Sequence, residues 1–338
     1  MPTVSPCRGG EEDFMRFSHF TAAALIVTLH FGLPLLLMLW TWVRSYNSVT
    51  VIIIQLVALA TYIAFIFLMG PWVFASFYLR YVVLILCIVV ITRTLVRASS
   101  IPLFITPHLS GWIAYFFGVT VIVVLLYLIT GAVRSHYYHE SPVNLAFPFK
   151  NGTYAVFEGG NGKVSPLMNY HYGAAIHKGA HINVSMRYAV DITKLSRWGN
   201  DADGFMPRQN DKYAVFNQIV YSPCDGEVSD IEDKWPNETP WSGKPPYNVG
   251  NHILITTNAF GVLMGHLQMG SILVKTGDKV KKGQPLAKAG NSGWTSQPHL
   301  HIQAMQKSNG SFWGWEGRPI FFNGRNPVKN SLFFEHSS

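Results

Sequence analysis

Four runs of almost uncharged residues, His19 to Val43, Val49 to Met69, Leu79 to Val96 and Gly111 to Val133, fill the first part of this 338-residue chain. Each is close to the roughly 20 residues that a helix needs to cross the hydrocarbon of a bilayer. Trp40, Trp42, Tyr81 and Trp112 stand near run ends, where amphipathic rings anchor a span at the interface. The competing reading is a buried helical core, but four such runs in succession with aromatic ends favour lipid. The expectation is an α-helical transmembrane region of about four spans over residues 1–135.

The stretch Met1 to Phe17 sets Arg8 and Arg16 against Glu11, Glu12 and Asp13 and lacks a small-residue cleavage site, so the first run is expected to stay in the mature protein. Basic residues are sparse between the runs. Placing Arg44, Arg93 and Arg97 in the cytoplasm follows the bias of cytoplasmic loops toward Lys and Arg and puts both termini outside. The apolar stretch from Val49 to Leu79 leaves room for an extra partial crossing.

From about Arg134 the chain turns polar and rich in Gly, Trp and Tyr, which predicts a separate domain of roughly 200 residues over 136–338. Ile219-Val220-Tyr221 runs into Asp225-Gly226, a hairpin signal. His252 to Thr257 is β-branched, Gly261 to Leu267 reads as another strand, and Ser271 to Val274 precedes the turn Thr276-Gly277-Asp278. With no helical period of useful length, an all-β, antiparallel domain is expected. Cys7, Cys87 and Cys224 imply no disulfide framework. A net charge of +8 suits an anionic wall or lipid surface, and no nucleic-acid motif is present: Lys279, Lys281 and Lys282 fall in a Gly-bounded turn.

One pair of residues carries chemistry. His299 and His301 follow a turn-rich loop, Gly290 to Pro298, and on a strand residues i and i+2 share a face. Two imidazoles toward one cleft suit a metal site, because neutral imidazole is a common zinc ligand and a second imidazole can move a proton beside it. His-x-His alone is a weak signal, and its surroundings decide.

Those surroundings are Val220 to Val228, Gly250 to Ile255, Gly265-His266-Leu267, Gly270 to Gln284 and Pro298-His299-Leu300-His301, in that order. Their succession resembles the lysostaphin-like zinc metallopeptidases, the M23 or LytM-type family, which cut peptide cross-links of peptidoglycan. The resemblance covers about Phe147 to Asn323 and leaves the apolar half aside. It implies Zn2+ as cofactor, His301 as a metal ligand, and His299 and His266 as catalytic residues flanking the attacked carbonyl. It also implies an aspartate ligand, which Asp191 in Met186 to Ile192 fits. A biotinyl or lipoyl carrier shares the Gly-Asp-x-Val-x-x-Gly-Gln hairpin, but this chain lacks the Met-Lys-Met tip such a carrier needs.

The chain departs from the family four residues before Asp191, where the usual histidine is Arg187, a permanent cation that cannot bind zinc. Glu158-Gly159-Gly160, Asn169-Tyr170-His171 and Arg187 to Asp191 look like a branch of the family with a different ligand arrangement. On that resemblance His171 is the third metal ligand, with His181 and then His177 behind it. The metal set is therefore His171, Asp191 and His301. The implied activity is a membrane-anchored zinc endopeptidase acting on peptidoglycan or a related peptide. It would sit multi-pass in the cytoplasmic (inner) membrane with its C-terminal domain extracytoplasmic. The alternative is a degenerate LytM-type domain that binds or activates another wall hydrolase.

Overall fold

The computed structural model of this chain describes residues 20–106, 108–174, 184–242, 249–307 and 314–336. His19, the N-terminal charges and the alternative ligands His177 and His181 lie outside the described residues.

Four long helices come first: α1 (Phe20–Val43), α2 (Val49–Met69), α3 (Leu79–Arg97) and α4 (Leu109–Arg134). All four are long and apolar enough to cross a membrane. A π-helical stretch, Thr28–Gly32, interrupts α1 just before Pro34, whose ring nitrogen cannot donate to a regular ladder. Met38, Leu59, Ile63, Ile66, Val83 and Cys87 pack between α1, α2 and α3, while Leu36, Val96, Phe116 and Tyr127 stay exposed on outer faces. So much unpartnered apolar surface suits hydrocarbon. The stretch between α2 and α3 holds no further crossing; Trp72–Phe74 is a single 3-10 turn.

The ends of the bundle differ. Arg44 caps α1, Arg97 closes α3, and Arg93 Nη1 donates to the Trp42 carbonyl at 2.7 Å, so these three arginines gather at one end. The other end meets the β region. There Val73 and Phe77 pack on Ala155 and Leu195, and the Asn330 side chain donates to the Leu68 carbonyl at 2.9 Å.

The strands are β1 (Val143–Leu145), β2 (Gly152–Glu158), β3 (Val190–Leu195), β4 (Ile219–Tyr221), β5 (Gly226–Glu232), β6 (Asn251–Thr256) and β7 (Phe260–Leu267). After them come β8 (Lys279–Val280), β9 (Pro285–Lys288), β10 (Leu300–Gln306), β11 (Glu316–Arg318), β12 (Ile320–Phe322) and β13 (Leu332–Glu335). Among the described residues the main sheet runs β13-β2-β3-β10-β7-β6-β5-β8, with β11 also beside β10. Pairing within it is antiparallel. The departure from the expected antiparallel pattern is β1, which pairs β12 in parallel. No hairpin joins those two strands, so no turn constrains their direction.

Strand β10 lies between β3 and β7, which explains its nearly continuous burial from Leu300 to Met305. Val156, Ile192, Ile253, Ile255, Met264 and Ile302 project to one side as the core. The opposite face of the same central strands carries the polar residues described next.

Candidate metal centre

The register of three strands assembles the centre. His301 on β10 is paired directly with Asp191 on β3 and, on its other side, with Gly265 on β7, which places His266 alongside. His299 leads into β10 from the preceding loop. His171 begins a one-turn helix, His171–Ala174, and reaches the same point from outside the sheet. Asp191, His171, His266, His299 and His301 are all buried.

Asp191 is the hub. His171 Nε2 lies 3.2 Å from its Oδ2, His301 Nδ1 3.0 Å from its Oδ1, and His299 Nε2 3.5 Å from Oδ2. Donor atoms of His171, Asp191 and His301 all fall within 4.8 Å of one another. The His266 ring is 4.7 Å from that of His299 and 5.7 Å from that of His301, centroid to centroid.

The outer partners determine which ring nitrogen is free. His171 Nδ1 sits 2.7 Å from Asn169 Oδ1, and the Asn169 amide nitrogen donates to the carbonyls of Gly160 and Ala189, so that oxygen can only accept. His301 Nε2 sits 3.0 Å from Gln303 Oε1, and the Gln303 amide nitrogen donates to Ser185 Oγ and Met305 Sδ. His299 Nδ1 donates to the Gln297 carbonyl at 2.7 Å, and His266 Nδ1 to the Ser292 carbonyl at 2.8 Å. Every imidazole thus spends one N–H on an outer oxygen, which fixes its tautomer. In the neutral tautomers the lone pairs of His171 Nε2 and His301 Nδ1 then face carboxylate oxygens at hydrogen-bond distance with no proton between them. Such acceptor pairs repel unless a proton or a metal cation lies between them.

Electrostatics follow the same geometry. Burial alone would raise the Asp191 carboxyl, yet His171 and His299 hold it well below the usual carboxylate range. Burial works against protonating His171, but the Asp191 charge outweighs it and raises that imidazole. His266 is pushed well below an ordinary histidine by burial and by its neighbours His299 and His301. His299 is lowered too, chiefly by burial. Those two rings are held neutral, the state a general base needs.

Backbone shape supports the same site. His266 takes a φ of 59°, unusual for a residue with a Cβ and characteristic of strain at functional positions. Gly250, at φ 63°, lies where a Cβ would collide with the Ser292 carbonyl, the group that orients His266. A bulge in β2 between Val156 and Glu158 brings Glu158 beside Asp191. There Glu158 accepts from the Tyr170 N–H at 3.2 Å and from Lys329 at 2.7 Å, which secures the turn carrying His171.

The structure therefore brings His171, Asp191, His266, His299 and His301 together. Arg187 points elsewhere, forming an ion pair with Glu140 at 3.0 Å, and Tyr188 donates to the same carboxylate at 2.6 Å. Sequence reasoning gave no role to Asn169, Gln303, Gln297, Ser292 or Glu158. For Gln303 a signal existed, since it stands two residues beyond His301 on the same strand face.

Known proteins agree with the domain type. Residues 211–312 match the model described as Peptidase family M23. The chain is 35% identical over 89 residues to the peptidoglycan DD-endopeptidase ShyB of Vibrio cholerae, covering 26% of this chain and 18% of that protein. It is 32% identical over 89 residues to the glycyl-glycine endopeptidase ALE-1 of Staphylococcus capitis, covering 26% of this chain and 22% of that protein. Each match thus spans about a fifth of the relative's length. The crystal structure of a zinc containing peptidase from Vibrio cholerae aligns with 49% of this chain and 37% of its own, at 24% identity and a TM-score of 0.29. The chain carries a Peptidase family M23 domain, preceded by four long apolar helices.

Proposed function

We propose that the chain is a membrane-anchored zinc endopeptidase that hydrolyses peptide bonds, with peptidoglycan cross-links as substrate. The observation that carries this reading is the set of lone pairs directed at one carboxylate. His171 Nε2, His301 Nδ1 and Asp191 form a buried donor set whose neutral tautomers repel until a proton or a metal cation joins them, and a metal satisfies all three donors at once. Two imidazoles and one carboxylate are the three protein ligands that a catalytic zinc ion takes. Bound there, zinc supplies Lewis acidity, polarising the scissile carbonyl and lowering the pKa of the attacking water.

The remaining steps belong to the protein. The outer hydrogen bonds of His299 and His266 occupy Nδ1 and leave the Nε2 lone pairs toward the site, that of His299 3.5 Å from Asp191 Oδ2, and both rings stay neutral through burial. One accepts the proton of the attacking water; the resulting imidazolium then steadies the developing oxyanion or delivers the proton to the leaving amine. Burial of the whole group keeps bulk water from competing with these contacts. The similarity to a peptidoglycan DD-endopeptidase supports peptidoglycan as the substrate class, and the similarity to a glycyl-glycine endopeptidase supports cleavage of a peptide bond.

Residues 1–135 form the membrane region in this reading and 136–338 the peptidase domain. Gathering of Arg44, Arg93 and Arg97 at the bundle end away from the sheet supports a cytoplasmic position for that end, and so an extracytoplasmic peptidase.

The test is zinc content and cleavage of a cross-linked muropeptide by the purified chain in detergent. One zinc per chain with release of the two stems is expected. A metal-free protein that still binds peptidoglycan without cutting it would instead mark a degenerate binding or activating module.

A further inference from the structure

The cavity above Asp191 and His299 has a wall that the β region does not provide. It measures about 320 Å3, and besides Asp191 and His299 it is lined by Pro71, Val73 and Phe74 from the turn between α2 and α3. Ile26 of α1 also lines it, and Ile26 lies within a helix long and apolar enough to span a membrane. Trp241 and Trp294 line it as well.

This wall is fixed in place. The Asp201 N–H donates to the Val73 carbonyl at 2.9 Å and the Phe77 N–H to the Gly199 carbonyl at 2.7 Å. Val73 and Phe77 are buried against Ala155 and Leu195, and the Phe74 ring meets Trp241 edge to face at 5.7 Å. The charged residues that share the cavity with Asp191, Glu158 and Lys329, neutralise each other at 2.7 Å.

A peptide backbone gains little from Pro71, Val73, Phe74 and Ile26, whereas an aliphatic chain gains from each methylene it buries against them. Such a chain would enter from the bilayer, since the wall is continuous with α1, α2 and α3. We propose that this cavity is a substrate subsite for an aliphatic chain, so that the preferred substrates are peptides anchored in the bilayer by an acyl or prenyl group close to the scissile bond. The assignment rests on the peptidase reading for its turnover arm and stands apart from it for its binding arm.

The experiment uses the chain reconstituted in phosphatidylglycerol vesicles with three peptides of one sequence: palmitoylated, prenylated and unmodified. Both lipidated forms are made a second time with a diazirine in the chain. Photo-crosslinks mapped by mass spectrometry are expected at Pro71 to Phe74 and Trp241. The lipidated peptide should be cut at least tenfold faster than the unmodified one, and Phe74→Ala should reduce that ratio at least fivefold. Whichever lipid gives the larger ratio identifies the source of the chain. Crosslinks confined to the outer faces of the helices, or a ratio unmoved by Phe74→Ala, would mean simple enrichment at the bilayer and overturn the subsite. Crosslinks at Pro71 to Phe74 without cleavage of any peptide would keep the subsite and remove the peptidase reading.

Discussion

Gln303 accepts a hydrogen bond from His301, its Oε1 lying 3.0 Å from the imidazole Nε2 two residues back along the same strand. The contact leaves Nδ1 as the lone pair facing Asp191. Gln303→Ala should therefore weaken zinc retention by roughly 10- to 100-fold, the usual loss when a ligand's outer partner is removed. Competition with a chelator measures it. Retention equal to wild type would show that His301 is oriented by packing alone.

Removing a donor itself should be harsher. His171→Ala, Asp191→Ala and His301→Ala are each expected to abolish zinc retention, because two protein ligands do not make a catalytic site. His266→Ala and His299→Ala should keep the metal and lower peptide hydrolysis by about 10²- to 10⁴-fold. Metal analysis beside a cleavage assay separates the two groups, and full zinc in His171→Ala would remove that residue from the set.

Arg187 offers a contrasting case. Its partner is Glu140, with Tyr188 donating to the same carboxylate, so Arg187→Ala should cost stability, about 1–2 kcal/mol for a partly buried charged contact, and leave zinc content intact. Thermal unfolding and metal analysis of the same sample test both halves. A zinc-depleted Arg187→Ala protein of normal stability would place the cation in the metal site after all.

Asp201 predicts a pH dependence. Burial raises its carboxyl to about 7, against roughly 3.9 for an unfolded aspartate. Between those values the native state keeps a proton that the unfolded chain has released, so stability falls as pH rises from about 4 to about 7 and stays reduced above that. Asp201→Asn can still accept the hydrogen bond from Gln297, now at 2.7 Å to Oδ2, and removes the loss. The variant should be more stable than wild type by on the order of 4 kcal/mol at pH 8 and by only about 1–2 kcal/mol at pH 5, where the unfolded aspartate is already mostly ionised. Melting curves at both pH values decide; identical differences at both would show that Asp201 does not titrate in this range.

Topology gives the remaining prediction. In intact spheroplasts, protease added outside should digest 136–338 and leave the Arg44, Arg93 and Arg97 end protected. Digestion only after permeabilisation would put the peptidase domain in the cytoplasm, away from a wall substrate.

Much of this molecule is local enough to be written in the sequence. The four long helices follow from apolar runs of spanning length, because each helix satisfies its own backbone hydrogen bonds and needs no partner to be recognised. His299 and His301 announce a common site through a spacing of two, although only His301 lies on β10 and His299 leads into it from the loop, and the strand-and-turn succession around them carries the M23 domain.

What the sequence could not decide is contact between distant segments. The family resemblance implied His171 in place of Arg187, but bringing it to one point with Asp191 and His301 took the register that sets Asp191 opposite His301 and the contact that turns Arg187 toward Glu140, residues far apart along the chain. Asn169 and Gln303 are common residue types that gain meaning only from the nitrogen they occupy. Likewise, Pro71 to Phe74 read as the tail of an apolar run. Only packing of that turn onto Ala155 and Leu195 brings it over Asp191 and His299, because side-chain periodicity encodes which face is apolar and not what that face will meet.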